Sequence, residues 1–277
     1  MKEIQIRKND AGQRLDRFVG KAVPLLPESL LQKYIRLKRI KRNGKGAKRD
    51  VRLVEGDVLQ LYINDEFFER PTEENAWLKI ATPRLDIVYE DENILLADKK
   101  PGVLCHSAGE WSWDTLISNI QAYLRQSGEW DPKAENAFTP ALCNRIDRNT
   151  GGIVIAAKNA EALRILNDKI RGREIEKSYL CVVCGRPKPA VGRLEGYLFK
   201  DAVKNQVYVT KKPQPGAKSA ATEYRTLQSR KGLSLVECRL LTGRTHQIRA
   251  QMAAAGCPLL GDLSLIHISE PTRLALI

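Results

Sequence analysis

Four stretches of the 277-residue chain gather side chains that can do chemistry. In NRIDRNTGGIVIAAK, Asp147 stands between Arg145 and Arg148, just ahead of Thr150, Gly151, Gly152 and an apolar run. Guanidinium groups within a few ångströms keep a carboxylate ionised, and paired glycines let a ligand approach the backbone closely. A nucleophilic or electrostatically acting aspartate needs such a charged, preorganised position. An ion pair at a strand end uses the same residues and fits the local sequence equally well. In LLTGRTHQIRAQM, Arg244 falls on a turn, and His246 and Arg249, three apart, share a helix face. The amides of that helix start suit a phosphate; an ordinary polar first turn reads the same way. In KSYLCVVCG, Lys177 and Tyr179 share one strand face, with Leu180 on the other. Tyr179 can stack on a base while Lys177 meets a phosphate, although a half-buried strand tyrosine is equally consistent. In KKPGVLCH, Pro101-Gly102 makes a tight turn near His106, and a structural role suits both.

Composition narrows the partner. The 46 Lys and Arg against 33 Asp and Glu give a net charge of +13, which favours a polyanion, either nucleic acid or an anionic membrane surface. No apolar run reaches the ~18 residues of a membrane span, and the start MKEIQIRKND has no apolar leader. A cytoplasmic location without membrane attachment is expected. The six cysteines stand singly among apolar residues, as reduced core cysteines do. Cys181 and Cys184 form a C-x-x-C inside a strand-like run, with no second ligand pair for a metal. Neither G-x-G-x-x-G nor G-x-x-x-x-G-K-[ST] occurs, and neither does G-x-S-x-G. With three histidines a zinc hydrolase is not expected. No metal and no cofactor are expected.

The basic charge is concentrated. Nine Lys or Arg and no acid lie between Lys33 and Arg49. Apolar spacing predicts helices over about 15–23 and from Pro27 onward, the second with Leu30, Leu31, Tyr34 and Ile35 on one face. Ile40, Asn43-Gly44 and the run VLQLYI read as strand, turn and closing hairpin. Lys33, Arg36, Lys38, Arg39, Lys41 and Arg42 then form a basic stripe for RNA. The pattern breaks up from Asn64 to Thr82, with Pro71, Pro83 and the acids Glu73 and Glu74, and a linker is expected over 76–84. Beyond it, strands are expected at DIVYEDENILLADK, GIVIAAK, around 175–184 and at LSLVECRLL. Helices are expected over 114–124, after an Asn159 cap with Gly172 ending it, and through Ile248 and Met252. Strands outnumber helices without clean βαβ alternation, so the fold class is α+β with a large, mixed, mainly antiparallel sheet and flanking helices.

KKPGVLCH, NRIDRNTGG, KSYL and TGRTHQIR stand in the order found in the RluA family of RNA pseudouridine synthases, and the chain resembles that family over residues 85–262. Residues 13–75 resemble an S4 RNA-binding domain. By that resemblance Asp147 is the catalytic aspartate, Tyr179 packs against the target base and Arg249 ion-pairs with the aspartate. Arg145 helps hold the flipped-out nucleotide. Thr150, Lys177, Arg244, His246 and Gln247 are the further substrate-binding residues. The chain departs from the family at Asn144, where many relatives have His, and at Gly151, where many have Ser. The resemblance implies isomerisation of uridine to pseudouridine in structured RNA, with 23S ribosomal RNA first and tRNA second, by a monomer without cofactor. A non-catalytic S4-type RNA-binding protein is the competing reading. A nucleoside-cleaving enzyme needs a second carboxylate that no motif supplies. The last fifteen residues, LSLIHISEPTRLALI, resemble translated sequencing-adapter read-through, so 263–277 is expected to be non-native and the native C-terminus missing.

Overall fold

The computed structural model describes residues 1–23, 25–68, 80–107, 114–132, 134–201 and 206–262. The expected tail lies outside them, as does the expected linker up to residue 79. Two compact units, 1–168 and 169–277, divide the chain. Among the described residues no helix is long and apolar enough to cross a membrane.

In the first unit, α1 (Leu15–Ala22) and α2 (Glu28–Arg36) bury their apolar faces, Leu15, Phe18 and Val19 from one and Leu31, Tyr34 and Ile35 from the other. They share a core with the strands β1 (Lys2–Gln5), β2 (Ile40–Arg42) and β4 (Val58–Leu61), while β3 (Lys45–Gly46) is exposed. The sheet runs β1-β4-β2-β3, antiparallel throughout. Asn43 and Gly44, at φ 50° and 77°, make the two-residue turn between β2 and β3, as an Asn-Gly pair between short strands requires. β1 had no sequence signal and precedes the expected start at residue 13. Its residues KEIQ carry one partly buried apolar side chain, and its partner β4 is more than fifty residues away.

A second sheet of the same unit is built from β5 (Ile87–Glu90), β6 (Ile94–Lys99), β7 (Ala141–Leu142) and β8 (Gly152–Ala157) in the order β5-β6-β8-β7. α3 (Leu116–Gln126) supplies Leu116, Ile120 and Leu124 to the core over it. Thr115 caps α3 in a capping box with Ser118. α4 (Ala160–Gly172) follows β8, and Asn159 Oδ1 accepts from Ala162 N at 2.9 Å, the expected cap. Gly172 does not end α4 from outside; it is the last helical residue, and the left-handed position falls on Arg173, at φ 62°. The N-terminal sheet and its helices meet this second part along a polar seam. Asn9 Nδ2 donates to Glu135, and Asn136 Nδ2 donates to Asp10 and to Gln5 O. Arg7 reaches Ala134 O, and Arg164 of α4 reaches Ala11 O.

The second unit is one antiparallel sheet, β11-β10-β12-β13-β9, formed by β9 (Ser178–Cys184), β10 (Val191–Asp201), β11 (Gln206–Thr210), β12 (Lys218–Arg230) and β13 (Leu233–Leu240). α5 (Gln247–Ala254) packs Met252 against Val183, Val236 and Cys238 on one face of it. Cys181 does not pair with Cys184; its sulfur lies 3.9 Å from that of Cys238 across the strands. The α+β class holds, and every strand pairing is antiparallel.

Asp57 ties the N-terminal sheet to its basic turn. Its carboxylate accepts from Val54 N at 2.7 Å and Asn43 Nδ2 at 2.8 Å, and Arg42 Nε lies 2.6 Å away. Burial alone would raise the pKa of this acid, but the Val54 amide, Arg42 and Asn43 together hold it below its ordinary value. A carboxyl with a depressed folded pKa stabilises the fold above its unfolded pKa, and that stability is lost as pH falls through the folded value. Asp57→Asn is therefore expected to cost ~2 kcal/mol at pH 7 and to flatten the acid limb of stability below about pH 4. Urea titrations across pH 2–7 measure both.

Candidate active site

The loop that carries Asp147 joins β7 to β8, and backbone contacts set its shape. Cys143 N donates to Ile155 O at 2.7 Å, and Asn144 Oδ1 accepts from Ile155 N at 2.8 Å. Asn144, the departure from the family's His, thus serves as a strand-end acceptor. Thr150 N closes the turn onto Asp147 O at 3.0 Å. Asp147 and Thr150 are half-buried, whereas Arg145 and Arg148 are exposed.

Beneath this loop sits a cation that the sequence reading passed over. Lys99, at the end of β6, is 1 % exposed. Its ammonium donates to Lys100 O, Val103 O and Arg148 O at 2.9–3.0 Å. Arg148 Nε donates back to Gly102 O, and Gly102 N donates to Arg148 O. The Lys-Pro-Gly turn and the aspartate loop are therefore locked to each other, with Lys99 as the shared donor. Desolvation lowers the pKa of Lys99, and Cys105 and the Asp147 carboxylate pull it back up. The expected cations beside Asp147 were Arg145 and Arg148, yet Arg148 is committed to Gly102 and Lys99 is the buried positive charge coupled to the carboxylate. Gly151, the second departure, is a packing requirement: a Cβ there would stand 3.2 Å from Pro101 Cδ, so a serine makes the neighbour give way. Desolvation and then the Arg145 guanidinium push the His106 imidazole below its ordinary pKa.

In the second unit Tyr179 is half-buried on the face of β9 that also carries Cys181 and Val183. Lys177 precedes the strand, close enough to Gly243 that a Cβ there would stand 3.3 Å from its ammonium. The turn after β13 is organised by two buried amides. Gln247 Oε1 accepts from Thr242 Oγ1 and from Arg244 N, and its Nε2 donates to Ala221 O and Thr222 Oγ1. At 2 % exposure, with both ends of its amide engaged, Gln247 has nothing left for RNA. Its expected substrate contact is corrected to an anchor of the turn. Gln251 repeats the arrangement one turn on, bonding Thr222 and Leu194 O. Arg244 keeps its turn position through Nε donating to Ser219 O at 2.9 Å. His246 starts α5 in a left-handed conformation, at φ 53°.

Arg249 is held from two sides. Nε and Nη2 donate to the two carboxylate oxygens of Asp262 at 2.6 and 2.7 Å, and Nη1 lies 2.9 Å from His246 Nδ1. Arginine has no acceptor, so Nδ1 is the accepting nitrogen and the imidazole proton rests on Nε2. Asp262 was not foreseen; its sequence signal was the Gly261-Asp262 pair that ends the family resemblance.

Of the expected RNA-binding stripe, Lys33, Arg36, Lys38 and Arg39 are exposed, and Lys41 is half-buried. Arg39 lies over the Tyr34 ring and Lys41 over Tyr62, each 5.2 Å from the centroid. Arg42 is half-buried, with its Nε 2.6 Å from Asp57 and its side chain 25 % exposed.

Known proteins are similar to this chain over most of its length. A family model described as RNA pseudouridylate synthase matches residues 93–254. An uncharacterized RNA pseudouridine synthase of Mycoplasma genitalium is 33% identical over 261 residues, covering 93% of this chain and 79% of that protein. Ribosomal large subunit pseudouridine synthase C of Escherichia coli is 28% identical over 263 residues, 95% of this chain and 79% of that protein. The solved human RNA pseudouridylate synthase domain containing 4 superposes with a TM-score of 0.54 at 23% identity, over 68% of this chain and 71% of that one, a likeness of fold. The chain belongs to the RNA pseudouridylate synthase family. It is accordingly an isomerase that acts on RNA.

Replacing Lys99 with Met removes the ammonium shared by the Lys100, Val103 and Arg148 carbonyls. The variant is expected to lose ~3 kcal/mol in urea unfolding, and its activity is expected to fall further than its folded fraction does, because the aspartate loop loosens. Cys143, next to Asn144, has its thiol pushed up to about 11 by burial. Its thiolate is then about one part in a thousand at pH 8, and iodoacetamide mapping is expected to leave it unmodified in the folded protein.

Proposed function

We propose that this chain converts uridines of large-subunit ribosomal RNA to pseudouridine, with Asp147 as its catalytic carboxylate. The observation that carries the reading is the Asp147 loop, held half-open between exposed arginines and locked from below by the buried Lys99. Ribosomal RNA is favoured over tRNA by the relative whose name specifies the large ribosomal subunit, similar over 95% of this chain. The basic N-terminal sheet and helices are read as an S4-type module, in a monomeric, cytoplasmic enzyme.

The chemistry follows from what a carboxylate can do beneath an extruded nucleotide. Unstacking the uridine costs a few kcal/mol, least in loops and bulges. Asp147 then either attacks C1′ or removes the 2′ hydrogen as the bond from N1 to C1′ breaks. The freed uracil turns within the pocket and rejoins through C5, whose hydrogen leaves as a proton while N1 gains one. No net oxidation or hydrolysis occurs. Tyr179 lines the base. Arg249, aimed by Asp262 and His246, supplies fixed positive charge, which costs little reorganisation during the reaction. Exposed cations of the N-terminal module meet phosphates without reading sequence.

Asp147→Asn is expected to lower the release of tritium from C5-labelled ribosomal RNA by at least ~10³-fold with little change in RNA binding. Equal release from the variant would remove Asp147 from the mechanism. Pseudouridine mapping in cells with and without the gene decides between ribosomal RNA and tRNA.

A further inference from the structure

The second unit carries a groove that the motif residues enter only at one end, through Lys177 and the Leu240–Thr242 segment. It lies between the face of the sheet opposite α5 and the segment 170–177, with a volume of about 750 Å³, within the size range of ligand sites. Strand alternation puts Arg193, Glu195 and Tyr197 of β10 on this face, and the register sets Ala221 opposite Glu195 and Ser219 opposite Tyr197. The small side chains of β12 make a low floor on which a ligand backbone can lie close to the sheet. Five cations rim it, Arg173, Lys177, Arg193, Lys211 and Arg239, against two carboxylates, Glu176 and Glu195. Both carboxylates sit in exposed pairs. Arg193 meets Glu195 at 2.6 Å with the side chains 53 and 63 % exposed, and Arg239 meets Glu176.

We propose that this groove binds the phosphodiester backbone of the substrate RNA. Exposed ion pairs hold weakly, and a phosphate offers an arginine the stronger bidentate geometry, so RNA oxygens can take over both arginines from their glutamates. Glu223 on the same face lies 3.9 Å from Arg239, so two cations remain in surplus, and cations spread along an open trough suit the repeated charge of a strand better than a single small anion. Tyr197 adds a ring on which an unpaired base can stack. One end of the groove, at Lys177 and Thr242, adjoins the turn that carries Arg244. The proposal rests on RNA as the substrate, and neither on which RNA nor on the role of Asp147.

The test compares two charge reversals of equal size in the full chain. Arg193→Glu with Lys211→Glu alters the groove; Arg230→Glu with Lys231→Glu alters the exposed turn between β12 and β13. KM and kcat are read on a large-subunit ribosomal RNA fragment, and the salt dependence of binding is read on the same fragment and on bulk single-stranded RNA. The groove variant is expected to raise KM ~tenfold with kcat within about twofold, and to reduce the slope of log K against log salt by about two. The turn variant is expected to leave both unchanged. Equal KM and equal slope for the two variants overturn the proposal, as does a fall in kcat with KM and slope unchanged. Should the glutamates prevent folding, Arg193→Gln with Lys211→Gln gives the same comparison with half the charge change. If the wild type leaves the ribosomal fragment unmodified, the substrate assignment fails while the salt slopes still decide the groove.

Discussion

A single buried ammonium sets the geometry of the proposed catalytic loop. Taking a charge out of water is costly unless polar partners replace the lost hydration, and Lys99 finds three carbonyl oxygens within 3.0 Å. Two of them belong to the turn after β6 and the third to Arg148, beside Asp147. The ammonium therefore works as a rivet: it draws the Lys100, Val103 and Arg148 carbonyls onto one point, and Arg148 O accepts from Gly102 N as well. Reciprocal bonds between Arg148 and Gly102 fix the same two segments a second time. Placing the acid in such a frame orders its loop during folding, before any RNA arrives.

The second unit reaches the same end without buried charge. Gln247 and Gln251 knot α5 to β12 through Thr222, so the helix start is held by neutral amides. The charged clamp on Arg249 is then built on a helix that cannot rotate. Its bidentate carboxylate fixes the plane of the guanidinium, and His246 fixes the remaining edge. Rigidity is spent where direction matters.

What was legible in the sequence was local. An acid between arginines, followed by two glycines and an apolar strand, marks a loop entering a buried strand, and the loop is there. Helical periodicity placed α1 and α2, and the Asn159 cap and the Asn43-Gly44 turn follow from side-chain and φ preferences that need no partner. What failed was set at a distance. Lysine reads as surface by type, and it takes the Arg148 carbonyl, 49 residues away, together with two from the adjoining turn to hold Lys99 in the core. Gln247 carries the polarity of a ligand contact, but Ala221 and Thr222 arrive from another strand to consume it. The region 185–230 offered no element to the reading, although it forms three strands; in β10 the alternation of Arg193, Glu195 and Tyr197 with Leu194 and Leu198 is a strand signal, broken by Gly192 and Gly196. β1 is a short edge strand whose only evidence is its partner.

The polar seam within the first unit bears on how that unit comes apart. The cores on either side of it are separate clusters, one gathered around Phe18 and the other around Ile120, and the named links across the seam are amides, two carboxylates and two guanidinium groups. Such links exchange for water at small net cost, whereas each apolar cluster yields only as a whole. The two cores are thus joined mainly by links weaker than either core, which favours loosening at the seam ahead of either cluster.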